Sequence, residues 1–123
     1  TTEGAKGICP TGWHIPSDAE QNTLDQYLND TTCDANRDSA WDCANAGTKL
    51  QTSGTSGFDG ILAGFRYIDG SFLNQGALAT FWSSTFSGPG AWAWGRFLLT
   101  GRATVYRIHD GRALGFSVRC LQD

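Results

Sequence analysis

Methionine is missing from this chain, and lysine, glutamate and histidine occur only twice each. Long charged helical faces have little material to form from. With two histidines, the common general bases and metal ligands are scarce. Nowhere do about 18 apolar residues run together, which argues against a membrane-spanning helix. The formal net charge of −3 gives no electrostatic footprint of a nucleic-acid binder. The four cysteines include no C-x-x-C pair, so the spacing of a thiolate metal site is absent. The opening Thr1-Thr2-Glu3-Gly4 does not read as a signal peptide.

What is present points to a stapled, turn-rich unit. The 123 residues suffice for one domain, expected over 1–123 with an ordered core over 7–123. Apolar residues make up 40% of the chain, with five Trp and seven Phe to build a core. Sixteen glycines against three prolines favour a turn-rich fold over a disordered chain. Four cysteines allow three pairings. Cys9 opens the folded part, Cys120 nearly closes it, and Cys33 and Cys43 bracket a short polar loop. The nested pairs Cys9–Cys120 and Cys33–Cys43 are the expected ones. The even count implies an oxidising compartment. The expected location is extracellular, cell-surface or virion-associated, with any signal or upstream region outside this chain.

Along the chain, Pro16-Ser17-Asp18-Ala19-Glu20 reads as a helix start with a Ser17/Glu20 capping box. Leu24 and Leu28, with Tyr27 beside them, predict a buried face on a helix near 18–29. The stretch 30–43 carries Asp30, Asp34, Asp38 and Asp42. It lacks the ligand alternation and glycine of a calcium-binding EF-hand and reads as a solvated acidic loop. Ser39 to Ala46 reads as a second short helix stopped by Gly47. Residues 61–67 and 71–73 read as a hairpin around Asp69-Gly70. Further strands are expected over 79–84, 91–99, 102–108 and 115–120, the last returning beside Cys9. Helices first and antiparallel strands after make an α+β order.

Taken together, these segments resemble a known family. Cys9-Pro10-Thr11-Gly12-Trp13-His14-Ile15-Pro16-Ser17-Asp18-Ala19-Glu20, Gly47-Thr48-Lys49-Leu50, Gly57-Phe58, Gly64-Phe65-Arg66 and Asp69-Gly70-Ser71-Phe72 stand in order. Phe81-Trp82-Ser83-Ser84-Thr85 and Gly115-Phe116-Ser117-Val118-Arg119-Cys120 complete the series. The set resembles the FISUMP family, the Fibrobacter succinogenes major paralogous domain, over nearly the whole chain. The acidic stretch with Cys33 and Cys43 departs from that family's pattern. The resemblance implies a C-type-lectin-like fold and kinship with the variable proteins of diversity-generating retroelements. In those, adenine-directed mutation of a C-terminal segment displays altered side chains as a ligand-binding surface. Formylglycine-generating enzymes share the fold type. Their reactive cysteines have no counterpart here, where all four read as staples.

Period two separates two faces in the C-terminal strands. The resemblance implies that Arg96, Leu98, Val105 and Arg107 sit at steady scaffold positions, and Trp82, Trp92, Gly115 and Phe116 with them. Asn codons mutated at adenine cannot reach Lys, Met, Gln, Glu or Trp. From Ser83 to Arg119 there is no Lys, Met, Gln, Glu or Asn, and the two Trp fall at proposed scaffold positions. The expected ligand-contact face is Ala93, Gly95, Phe97, Leu99, Arg102, Thr104, Tyr106, Ile108, His109, Asp110 and Leu114. Aromatic and Arg anchors with a polar rim fit a protein partner, one on another cell or particle. The five arginines of residues 71–123, against two aspartates, are expected to cover strands and bond carbonyls. No cofactor motif is read, and no serine stands in a nucleophile-elbow context. A His109–Asp110 pair is the strongest catalytic hint, and a binding domain rather than an enzyme is expected. A structural or adhesive surface module is the alternative.

Overall fold

A computed structural model describes residues 2–29 and 32–123. In chain order its elements are β1 (Trp13–His14), α1 (Asp18–Leu28), β2 (Ala40–Asp42), α2 (Ala46–Leu50), β3 (Phe65–Arg66), β4 (Phe72–Leu73), β5 (Leu78–Phe86), β6 (Trp92–Leu99), β7 (Val105–Gly111) and β8 (Leu121–Gln122). The four-stranded sheet has the order β2-β7-β6-β5, and its paired strands run antiparallel. Two short ribbons, β1-β8 and β3-β4, flank it.

The fold is α+β, with both helices preceding the main antiparallel strands. The Cys9–Cys120 disulfide joins the ends of the chain, and Cys33–Cys43 closes the acidic insert. Beside the first bridge, Trp13 pairs with Gln122 in β1-β8. The returning segment is less regular than the strand expected over 115–120. It touches the sheet through isolated bridges at Gly115 and Ser117, and its ladder forms only at Leu121–Gln122.

Helix α1 starts as its sequence requires. The Ser17 side chain accepts from the Glu20 N–H, and Glu20 accepts in return from the Ser17 N–H. Its buried stripe differs from expectation. Asp18, Asn22, Asp25 and Leu28 are buried, Leu24 only partly, and Tyr27 is 84% exposed. The second helix also moves. Ala40–Asp42 is an edge strand beside β7, and the helix runs over Ala46–Leu50. Gly47 is inside that helix rather than ending it, because the helix lies against the backbone. A Cβ there would come within 2.4 Å of the Thr104 carbonyl oxygen. The hairpin forms at Asp69-Gly70 with Phe65 opposite Leu73, while residues 61–64 stay outside the ladder.

The apolar core gathers Leu28, Ala46, Leu50, Ala79, Leu98, Val105 and Cys43, with Leu24, Phe58, Leu62 and Phe81 packed around them. No helix among the described residues is long and apolar enough to cross a membrane.

Candidate functional site

One side of β6 and β7 is locked to α1. Arg96 and Arg107 are cross-strand partners whose side chains share this side. Arg96 donates from Nε to Asp25 at 2.8 Å, from Nη1 to Asp18 at 2.8 Å, and from Nη2 to Asn22. One guanidinium thus joins three residues on successive turns of the helix. Arg107 forks onto both oxygens of Asp18, with Nε at 3.1 Å from Oδ1 and Nη2 at 2.7 Å from Oδ2, and donates to the carbonyls of Asn36 and Arg37. Its guanidinium carbon also lies 3.4 Å from the Trp94 ring centroid. Arg37 donates to the Val105 carbonyl at 2.7 Å, tying the acidic insert to the same network. Burial pushes the Asp18 carboxyl up, but hydrogen bonds from Arg107 and the Arg96 charge outweigh it and hold it below its usual value. At Asp25 burial dominates and pushes the carboxyl up against Arg96 and Arg37.

The other side of the strands is built from rings. Phe97 stands opposite Tyr106, their centroids 6.0 Å apart. Trp41 on β2 pairs with Tyr106, with centroids at 4.9 Å, and Arg102 lies 4.1 Å over the Trp41 ring. The Arg102 Nε donates to Thr104 Oγ1. Phe97, Leu99, Tyr106 and Ile108 are partly buried, and Arg102 is exposed. This strip is continuous with a cavity of about 390 Å³ between the β3-β4 hairpin and the sheet, which Phe97, Asp110 and Leu114 help to line. Another cavity, about 280 Å³, lies beneath α1 among Leu24, Leu50, Phe58, Phe81 and Leu98.

Eight of the residues expected at the contact surface therefore gather on the accessible part of this side: Phe97, Leu99, Arg102, Thr104, Tyr106, Ile108, Asp110 and Leu114. Three do not. Ala93 shares the side but is 5% exposed, in a recess formed by Ile15, Trp82, Phe86 and Val118. Gly95 is buried because Phe116, stacked on Trp82 at 4.0 Å, lies over it. A Cβ at Gly95 would also meet the Phe81 carbonyl oxygen at 2.8 Å. His109 points the opposite way, since it pairs with Trp94 on the locked side. Its ring lies 4.9 Å from Trp94 and 5.7 Å from Trp92. Trp92, expected in the scaffold, is 48% exposed at its strand end. Sequence reasoning missed Trp41, whose polar surroundings read as a helix start. An aromatic side chain isolated in an acidic loop was its one signal.

His109 does not pair with Asp110. Its Nδ1 lies 2.9 Å from Ser87 Oγ, and its Nε2 lies 3.4 Å from Asp38, whose side chain is 70% exposed. In the acidic insert, Asp42 accepts from the Asp34 and Cys43 N–H groups, and Asp34 accepts from the Asn36 N–H. Asp30 lies outside the described residues. Among the described residues, no group of three or more His, Cys, Asp or Glu side chains is placed to hold a metal ion.

Comparison with curated proteins and with solved structures returns no match. The model of the Fibrobacter succinogenes major domain matches residues 1–122. That span holds the capped helix entry, the Asp69-Gly70 hairpin, and the Trp82–Phe116 stack over Gly95, and the chain belongs to the Fibrobacter succinogenes major domain family.

Proposed function

We propose that this chain is a ligand-binding display domain of C-type-lectin-like type, a variable protein of a diversity-generating retroelement. The aromatic side of β6 and β7 is its contact surface, and the ligand is a protein on another cell or particle. One observation carries this reading. Along the same two strands, Arg96, Leu98, Val105 and Arg107 are at most 6% exposed, whereas the alternate positions Phe97, Leu99, Tyr106 and Ile108 stay partly open. The open positions hold residue types reachable from adenine-mutated Asn codons, and the closed ones hold the arginines of the network and the core residues Leu98 and Val105. Aromatic and arginine anchors on a rigid sheet are the usual makings of a protein-binding surface.

The domain binds rather than catalyses. Ser87, His109 and Asp38 line up, but the carboxylate is exposed and 3.4 Å away, so solvent screens its hold on the imidazole. Both disulfides fit an oxidising, extracellular setting at a cell or virion surface.

Sequencing this gene across a population of its source tests the reading. Substitutions are expected to concentrate at the codons for the open positions, beside a reverse-transcriptase gene and a near-copy of the 3′ segment differing at adenines. Variation spread evenly over both faces, with no such neighbour, contradicts it and leaves a fixed adhesive module.

A further inference from the structure

We infer that the cavity between the β3-β4 hairpin and the sheet receives a lysine side chain of the protein ligand, with Asp110 as its counter-charge; this assignment rests on reading this side as the contact surface. The cavity, about 390 Å³, has aromatic walls from Phe65, Tyr67, Phe97 and Phe116 and an aliphatic one from Leu114. Among the described residues that line it, Asp110 alone carries a charge. Aromatic faces attract cations through the ring quadrupole, and a carboxylate beside them fixes the sign of the guest.

The walls are held in place before any guest arrives. Phe116 stacks on Trp82 at 4.0 Å and meets Phe97 and Phe65 edge-on at 5.3 and 6.1 Å. A pre-formed site loses little ordering entropy on binding. The arginine next in sequence does not fill it. Arg112 lies 4.7 Å over the Phe86 ring and donates to the Gly90 carbonyl. Among the described residues, no cation pairs with Asp110.

The choice of lysine over arginine follows from the carboxylate. Asp110 Oδ1 already accepts from the Gly111 N–H at 2.7 Å. That leaves the carboxylate better suited to a single contact with a compact ammonium than to a two-pronged guanidinium fork. The alkyl stem of the guest would lie along Leu114 and Phe97.

The test is an NMR titration of the intact, disulfide-bonded chain with Nα-acetyl-lysine N-methylamide, and in parallel with the neutral norleucine analogue. The lysine probe is expected to shift resonances of Asp110, Phe97 and Tyr67 with millimolar affinity, the neutral one much less. Asp110→Asn keeps the acceptor for the Gly111 N–H and removes the charge. It should weaken the lysine probe about fivefold, the weight of one partly exposed ion pair. Tyr67→Ala, on the exposed hairpin, should weaken it by a smaller factor. Equal binding of both probes, an unchanged affinity in Asp110→Asn, or no shifts at the cavity would each overturn the assignment. Any of these results beside adenine-directed variation at the open codons would defeat the lysine site alone and leave the display function standing.

Discussion

Arg96 and Phe97 are neighbours on β6, yet different things fix them. Arg96 is 4% exposed and joins Asp18, Asn22 and Asp25, so its replacement strips two buried carboxylates of a charge partner and leaves them to Arg107 and Arg37 alone. Phe97 touches Tyr106 and Phe116 through ring contacts, so a replacement loses area and little else. The same contrast holds on β7 between Arg107 and Tyr106. A sheet held on one side by directional charge pairs can change its other side without losing its position.

Perturbing the terminal bridge, the locked side and the open side in turn gives effects of decreasing size. Removing the Cys9–Cys120 bridge, which spans 111 residues, is the largest and favours neither side. Cys9→Ser with Cys120→Ser should cost about 4–5 kcal/mol in a urea melt, as the chain-entropy estimate gives. Asp18→Ala acts on the locked side only. Arg96 and Arg107 then lose their shared partner, at a cost of about 3–5 kcal/mol. Below about pH 4 this penalty should shrink. A carboxyl held low by arginines adds stability above its unfolded pKa and loses that contribution as pH falls through its folded one. Single changes on the open side, Tyr106→Asn or Leu99→Asn, should each cost about 1 kcal/mol. Trp92→Ala, at a half-exposed strand end, belongs with these at about 1–2 kcal/mol.

Much of this was legible in sequence, for local reasons. The capping box, the Asp-Gly hairpin and the period-two alternation of β6 and β7 are short-range signals. The nested disulfides followed from the positions of four cysteines. The polar stripe of α1 was not legible. Asp18, Asn22 and Asp25 at helical spacing look like a solvated face until strands 71 to 89 residues away supply Arg96 and Arg107. The arginines were expected to bond carbonyls. Some of their bonds do reach carbonyls, but carboxylates hold both. His109 fell on the wrong side because alternation carries it with Arg107 rather than with Tyr106 and Ile108. Ala93 and Gly95 share the open side, but the returning segment covers them, and no strand period reveals what crosses above a strand.

The smallest expected effect concerns the chain ends. Asp123 first, then Glu20, hydrogen-bonds His14 and raises its pKa above the usual value, with burial opposing. A raised histidine pKa adds stability that is full below its unfolded value and is lost as pH rises through the folded one. The difference in Tm between wild type and His14→Gln should therefore be greatest below about pH 6.5 and fade above it.

The division between a locked and an open side is tested most directly by replacing Phe97, Leu99, Thr104 and Tyr106 together with asparagine and recording a urea transition with near-ultraviolet circular dichroism. His109 is left intact because it stands on the locked side. The variant is expected to keep both disulfides and a single cooperative transition, at a lower midpoint. A chain with no cooperative transition would place these four side chains in the core and contradict the division.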